Sequence, residues 1–195
     1  MSKWVLVENE SENKNNVKRT WANSKTPYGK ISDHGDQEYV NLWKEHFSDF
    51  SGKVLEIGAG NGFLAKNILE ANNNIDYTIL DLEAHFETIK SNVGDNVAFV
   101  KSSEYKTVFE QEWDLVIETH CLSETPVYYY TDIFNNLSVK NCFVIDYGNA
   151  SEDPKFQPTL DTWFDTTFAN KNKFTNTKLL GGSKKPIPVY IGKEK

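Results

Sequence analysis

Cysteine, long apolar runs and positive charge are all scarce in this chain of 195 residues. The two cysteines, Cys121 and Cys142, lack metal-ligand spacing, which argues against a zinc centre or a disulfide-stabilised fold. No apolar run is long enough to span a membrane, and the apolar part of the N-terminus is too short for a signal peptide. We therefore expect a cytoplasmic protein without a membrane partner and without a bound metal.

The excess of acidic residues indicates which kinds of molecule this protein is expected to bind. The chain has 28 acidic and 21 basic residues, which gives a formal net charge of −7. Because nucleic acids and acidic membranes bind to a positive face, we expect neither partner and favour a small molecule. The length suits one domain with a sizeable core, and the sequence shows no internal repeat and gives no indication of oligomeric state.

The most informative segment is residues 54–62, which read Val-Leu-Glu-Ile-Gly-Ala-Gly-Asn-Gly. Apolar residues around Glu56 predict a buried parallel strand, and the alternating glycines permit positive φ and close approach of a ligand to the backbone. Residues 63–69 have the spacing of an amphipathic helix, whose first N–H groups face the glycine turn. The segment predicts a nucleotide-like ligand or, as the plainer alternative, a tight turn in an ordinary α/β protein.

The spacing of the glycines decides which ligand is expected. A dinucleotide-binding turn places its third glycine where this chain has Phe63, so the sequence disfavours a nucleotide-binding oxidoreductase. The pattern Glu-x-Gly-x-Gly-x-Gly instead resembles the first motif of the class I S-adenosylmethionine-dependent methyltransferases. That resemblance implies S-adenosylmethionine as the cofactor and places Glu56 near its methionine amino group. The cofactor-binding residues of this turn are then Glu56, Gly58, Ala59, Gly60 and Gly62.

Two further segments complete the predicted cofactor site. Asp81 ends a second predicted strand, near the spacing of about 20 residues at which a ribose-binding carboxylate follows the glycine turn. Its alternative role is a helix cap, since Leu82 begins a predicted helix, and the two roles are compatible. Leu82 is itself a candidate cofactor-binding residue. In the methyltransferases the loop after the third strand contacts the adenine, often through an acid, and the matching positions here are Ser102 and Ser103. Either hydroxyl can hydrogen-bond a purine edge, and solvent-facing serines are the alternative.

The loop at residues 119–126 is predicted to carry the acceptor chemistry, because it leaves the fourth strand beside the glycine turn. It resembles a segment before a tyrosine-rich helix in a group of sugar O-methyltransferases, although Thr125 stands where they have Met. This resemblance implies a saccharide or nucleotide-sugar acceptor.

Two residues of this acceptor loop are candidate catalytic groups. His120 is the candidate base, since the ordinary pKa of an imidazole lies near neutrality, and a structural histidine is its alternative. Glu124 is a candidate for orienting that imidazole, for binding acceptor hydroxyls or for acting as the base itself. Glu118, which ends the fourth strand, is expected near the cofactor, and Asp146, which ends the fifth, is a further candidate for the cleft.

The predicted fold class is α/β, a Rossmann-like, doubly wound and mostly parallel seven-stranded sheet that ends in an antiparallel hairpin. Residues 1–35 are interpreted as an N-terminal arm or lid, and residues 36–195 as the S-adenosylmethionine-binding methyltransferase domain. Helices are predicted over residues 36–50 and 156–168, the fourth strand over 113–118, and the hairpin strands over 173–180 and 187–191.

The sequence therefore favours an enzyme that methylates an oxygen of a small hydroxylated acceptor. Methyl transfer to nitrogen or carbon of another small metabolite is an alternative, because the cofactor half of the chain does not distinguish between these reactions. A catalytically silent cofactor-binding protein on the same fold is a second alternative, since a fold alone does not determine activity.

Overall fold

The structure is a computed structural model that describes residues 34–146, 154–177, 179 and 186–194. The described strands are β1 (Gly52–Ile57), β2 (Ile75–Asp81), β3 (Val97–Lys101), β4 (Glu112–Trp113), β5 (Leu115–Thr119), β6 (Ser138–Val139), β7 (Cys142–Ile145), β8 (Asn170–Asn176) and β9 (Ile187–Lys193). The described α-helices are α1 (His34–Phe47), α2 (Phe63–Ala71), α3 (Phe86–Val93), α4 (Val127–Asn136) and α5 (Phe156–Thr167). Shorter 3-10 helices lie at Glu83–His85, Ser102–Glu110 and Leu122–Glu124.

One seven-stranded sheet organises the molecule, in the order β3-β2-β1-β5-β7-β9-β8. The first five strands of this order pair in parallel, whereas β9 pairs antiparallel with both β7 and β8. The short strands β4 and β6 form a separate parallel pair. The predicted fold class is therefore confirmed, and the residues predicted to turn the C-terminal hairpin at 181–185 lie outside the described residues.

Alternate residues of the central strands face two separate apolar layers, as the two-residue period of a strand requires. On one face, Leu55 and Ile57 of β1 pack with a layer that includes helices α4 and α5. On the other face, Val54 packs with a layer that includes helices α1, α2 and α3. Helices thus cover both faces of the sheet, and loops follow the ends of its strands.

Several predicted boundaries are corrected by the structure. Helix α1 begins at His34 and ends at Phe47, not at Phe50, and the hairpin strand predicted over residues 173–180 is β8, which ends at Asn176. The helix expected directly after Asp81 is first a 3-10 turn and only then α3. The arm predicted for residues 1–35 lies almost entirely outside the described residues, so the division at residue 36 stays a prediction. Nowhere in the described chain is there a helix with the length and apolarity to cross a membrane.

Asp114 explains why the predicted fourth strand is divided. Its carboxylate accepts the backbone N–H of Lys53 at 2.9 Å and the ammonium of Lys140 at 2.7 Å. Trp113 before it pairs with the short strand β6, and β5 begins only after it, at Leu115. The Lys140 contact first, and then the Lys53 N–H, hold the pKa of Asp114 below its ordinary value. This stabilisation is present above the ordinary carboxyl pKa and is lost as the pH falls through the lowered one.

We expect Asp114→Ala to lower the free energy of unfolding by about 1 kcal/mol, because the start of β1 loses a charge-assisted partner. Glu112→Ala is the matched control, since Glu112 contacts the same lysine but is exposed, and we expect a change within about 0.5 kcal/mol. Urea denaturation at neutral pH measures both values. Equal effects of the two substitutions would show that Asp114 is an ordinary surface partner of Lys140.

Candidate functional site

Acidic residues stand at the ends of four neighbouring parallel strands. Glu56 is the penultimate residue of β1, Asp81 ends β2, Glu118 is the penultimate residue of β5, and Asp146 directly follows β7. The strand register aligns Ile57 with Glu118, so the strand ends meet at one edge of the sheet. Each of the four acids is at most 1% exposed. In open α/β sheets ligands bind beyond this edge, and here the edge is rich in buried carboxyl groups.

The three glycines after β1 adopt left-handed backbone conformations, with φ of 76° at Gly58, 62° at Gly60 and 77° at Gly62. Gly58 also donates its N–H to Leu80 O at 2.9 Å, which ties the turn to β2. A Cβ on Gly62 would lie 2.9 Å from Val93 Cγ1, so this glycine is required for the packing of α2 against α3. The turn thus begins α2 directly beside the carboxyl edge, as the sequence predicts, with the half-buried Ala59 between its first two glycines.

Glu56 is a buried acid that has one hydrogen bond among the described residues. Its Oε2 accepts the hydroxyl of Tyr77 at 3.1 Å, and its Oε1 has no partner within the described chain. Burial raises the pKa of Glu56 to about 8, an effect that the Tyr77 hydrogen bond opposes and the charge of Asp81 reinforces. The side chain is therefore uncharged near neutrality, and a cation placed against Oε1 would convert it to a carboxylate.

The two carboxylate oxygens of Asp81 have different surroundings. Its Oδ1 accepts the N–H of Leu82 at 2.6 Å and the Nδ1 hydrogen of His85 at 2.8 Å, which stabilises the 3-10 turn that follows β2. Its Oδ2 is buried and has no hydrogen-bond partner among the described residues. One oxygen therefore holds the local structure, and the other is available to a ligand hydroxyl. Leu82 itself is buried beneath this turn.

The two predicted adenine-binding serines differ in their surroundings. Ser102 is fully buried, and its hydroxyl has no hydrogen-bond partner in the described part of the chain. Ser103 is exposed. Both residues begin the 3-10 helix after β3, at the same edge of the sheet as the glycine turn. Burial of a hydroxyl without a partner is costly, so Ser102 is the better placed of the two to bind a ligand atom.

His120 holds the acceptor loop in an unusual backbone conformation. Its φ of 62° is the one positive value for a non-glycine residue in the described chain, and its N–H donates to Ile145 O at 2.9 Å. The imidazole Nε2 lies 2.7 Å from the hydroxyl of Tyr39, with the rings 5.8 Å apart and edge to face. Burial lowers the pKa of His120 to about 3, so its ring is uncharged at neutral pH.

The contact of Tyr39 with the candidate base His120 is a feature that the sequence does not predict. The position of Tyr39 in the apolar stripe of α1 predicts a core side chain, and Tyr39 is indeed buried. Its hydroxyl nevertheless reaches the acceptor loop. A tyrosine in an apolar stripe is a signal in itself, since a buried phenol requires a polar partner, but the sequence does not reveal which one.

The rest of the acceptor loop is compact. Glu124 is half-buried in the 3-10 helix, and its N–H donates to Cys121 O at 3.0 Å. Thr125 donates its hydroxyl to Leu122 O at 2.7 Å, which ends the 3-10 helix where the resembled group has Met. Glu118 accepts N–H groups of the same loop. Within the residues that the structure describes, no three His, Cys, Asp or Glu side chains are grouped so as to hold a metal ion.

One protein-family model is similar to part of this chain. Residues 30–120 match the model described as Methyltransferase small domain, a range that includes the glycine turn, Asp81 and the start of the acceptor loop. A search of curated protein sequences finds no match to this chain.

Solved methyltransferase structures share the fold at low sequence identity. An O-methyltransferase family protein from Burkholderia thailandensis aligns with a TM-score of 0.60 and 10% identity over 82% of this chain and 56% of its own. The plantazolicin methyltransferase BpumL, in complex with a triazolic desmethylPZN analog and SAH, aligns with a TM-score of 0.58 and 13% identity over 99% of this chain and 96% of its own. A Pyrococcus horikoshii protein to which RNA methylation has been ascribed aligns with a TM-score of 0.54 and 13% identity over 82% of this chain and 81% of its own.

The solved structures confirm the predicted fold, and residues 30–120 are similar to a methyltransferase domain. This chain spans little more than half the length of the Burkholderia protein, and the acceptors named for the similar proteins differ from one another. The roles given above to individual residues therefore stay predictions. The carboxyl edge fits the cofactor, because Glu56 and Asp81 each offer a buried oxygen without a partner in the described chain.

We expect Asp81→Ala to weaken binding of S-adenosylhomocysteine by about 1.5–3 kcal/mol, the range for a hydrogen bond to a charged group. Asp76→Ala is the control, because Asp76 is an exposed acid on the same strand, and it should leave the affinity unchanged. Calorimetry measures both affinities, and thermal melting shows that each variant is folded. An unchanged affinity in folded Asp81→Ala would remove Asp81 from the cofactor site.

We also expect cofactor binding to release a proton below pH 8. Glu56 is uncharged in the ligand-free protein because its pKa lies at about 8, and an ammonium group against Oε1 favours the carboxylate. The affinity for S-adenosylhomocysteine should therefore rise with pH, by up to about tenfold per unit, and level off above the raised pKa. Calorimetry in two buffers of different ionisation enthalpy counts the proton. Glu56→Gln keeps the Tyr77 contact and should abolish the release, whereas an equal release in Glu56→Gln would assign the proton to another group.

Proposed function

We propose that this methyltransferase domain transfers a methyl group to a hydroxyl oxygen of a small acceptor, with a saccharide or nucleotide sugar as the first choice. The observation that carries the proposal is the uncharged, buried His120, held against Tyr39 in the loop that leaves β5 beside the glycine turn. The net charge of −7 supports a small acceptor over a nucleic acid.

The cofactor side of the site needs only binding and orientation. S-adenosylmethionine would supply a methyl group on a sulfonium sulfur. The neutral thioether, S-adenosylhomocysteine, is a good leaving group, so no covalent intermediate with the protein is required. Glu56 and Asp81 would hold its amino group and its ribose, while the glycine turn gives it access to the backbone. Ser102 would contact the adenine from the next strand end. These four contacts fix the direction of approach, which is the larger part of catalysis in a direct displacement.

The acceptor side must remove a proton, because a sugar hydroxyl is a weak nucleophile until it is deprotonated. An uncharged imidazole has a nitrogen lone pair for that proton, and the charge it gains replaces the sulfonium charge that is lost. Against this, the lowered pKa of about 3 makes His120 a weak proton acceptor while it is buried. Glu124 is half-buried in the same loop and is the competing base. The two assignments give different mutational results.

The test is an assay for S-adenosylhomocysteine release with sugars, nucleotide sugars, phenols, amines and RNA offered as acceptors. If His120 is the base, His120→Ala should lower kcat by about 100-fold or more and leave cofactor affinity unchanged. If Glu124 only positions the acceptor, Glu124→Gln should mainly raise the KM of the acceptor. Glu104→Gln, at an exposed position, is the control.

Several outcomes would contradict the proposal. Wild-type turnover in His120→Ala would transfer the role of base to Glu124 or Asp146. Turnover confined to amines or RNA would replace the hydroxyl acceptor. Tight cofactor binding with no turnover on any class would favour the silent binding protein.

A further inference from the structure

Two buried acids hold three consecutive backbone N–H groups of the acceptor loop. Glu118 Oε1 accepts the N–H of Cys121 at 2.5 Å and that of Leu122 at 2.9 Å. Asp146 Oδ2 accepts the N–H of Ser123 at 3.1 Å. Consecutive N–H groups that point to one side form a concave site for an anion, and here the protein fills that site with its own carboxyl groups.

The two acids also contact each other. Glu118 lies on β5, Asp146 directly follows the adjacent parallel strand β7, and both are at most 1% exposed. Their carboxyl groups accept the N–H groups of the consecutive residues Leu122 and Ser123, so the two acids lie close together. Two carboxylates have no hydrogen between them, so a hydrogen bond within the pair needs one of the two groups to carry a proton. If both acids were charged, two neighbouring buried carboxylates would repel each other strongly, and carboxyl pairs in that position share one proton.

We propose that Glu118 is an uncharged acid that donates its hydrogen to Asp146, and that the pair acts as a clamp that positions the acceptor loop. Glu118 is then a positioning residue of the acceptor side and not an anionic ligand of the cofactor. That this loop positions an acceptor rests on the proposed function. The proton on Glu118 and the hold of the two acids on the loop do not depend on it.

The surroundings of Glu118 support an uncharged group. Burial, followed by the charge of Asp146, raises the pKa of Glu118 well above its ordinary value, and the two loop N–H groups only partly oppose this. The N–H of Cys121 donates to Glu118, and the thiol of Cys121 lies near Asp81 and Glu124. The neighbouring strand β1 adds Glu56. The described titratable groups near the pair include Glu56, Asp81, Cys121, Glu124 and, on the adjacent strand β9, Tyr190. All of them are neutral or negative, so a second negative charge on the pair would have no compensation from them.

The clamp predicts a dependence on pH. While one proton is shared, the pair accepts the three N–H groups and the loop is held. When alkaline pH removes that proton, two buried carboxylates repel each other and the loop is released. Glu118→Gln imitates the protonated acid, because its amide oxygen accepts the two N–H groups and its NH₂ donates to Asp146.

The experiment compares wild type with Glu118→Gln, Glu118→Ala and the exposed control Glu112→Gln. Amide hydrogen exchange of residues 121–123, corrected for intrinsic rates, is followed across neutral and alkaline pH, and affinity for S-adenosylhomocysteine is measured by calorimetry. We expect wild type and Glu112→Gln to lose protection at alkaline pH. We expect Glu118→Gln to keep both its protection and, within about twofold, its cofactor affinity. Glu118→Ala should lose protection at every pH.

Two results would overturn the inference. A tenfold or greater loss of S-adenosylhomocysteine affinity in Glu118→Gln would show that Glu118 binds the cofactor as an anion. Loss of protection in Glu118→Gln at neutral pH would show that the charged form holds the loop. If Glu118→Ala does not fold, the comparison of wild type with Glu118→Gln still tests whether the uncharged form of Glu118 holds the loop. Neither measurement uses an acceptor, so an incorrect acceptor class would leave these results unaffected.

Discussion

The parallel alignment of β1, β2, β5 and β7 is the constraint on which the rest of this structure depends. It brings their carboxyl ends to one edge, and each of the four strands has an acid there. Helices cover both faces of the sheet, so the acids are buried with the apolar residues that precede them. A buried acid must be protonated, hydrogen-bonded or paired with a cation. The loops that leave this edge satisfy that requirement in two different ways.

On the cofactor side, the acids are only partly satisfied by the protein. Glu56 and Asp81 each use one oxygen for a local contact and have a second oxygen without a partner among the described residues. On the acceptor side, Glu118 and Asp146 accept backbone N–H groups of the loop. The same residue type therefore leaves oxygens without a partner in the described chain at one end of the edge and binds backbone N–H groups at the other. The difference arises because the glycine turn after β1 offers few side chains, whereas the loop after β5 folds its N–H groups back onto the strand ends.

Much of this arrangement is predictable from the sequence, and the failures have identifiable causes. The order of strands and helices follows from apolar periodicity, and the glycine spacing indicates the cofactor. The division of the fourth predicted strand could not be anticipated, because it depends on Asp114 meeting Lys53 and Lys140 from distant parts of the chain. The contact of Tyr39 with His120 has the same origin, since it joins α1 to a loop 81 positions later. Local patterns indicate which side chains are buried, but long-range contacts decide which polar atoms meet.

The acceptor loop is held from three directions that do not involve the cofactor. Glu118 and Asp146 bind its N–H groups, Ile145 accepts the N–H of His120, and Tyr39 contacts the imidazole. The positive φ of His120 is sustained by these contacts, because a non-glycine residue adopts that conformation only where its surroundings require it. An acceptor that meets a loop already in place loses less binding energy to ordering it, and the geometry for displacement is then fixed before the acceptor arrives. On the cofactor side, by contrast, Glu56 Oε1 and Asp81 Oδ2 have no partner among the described residues, and we expect the ligand to supply one.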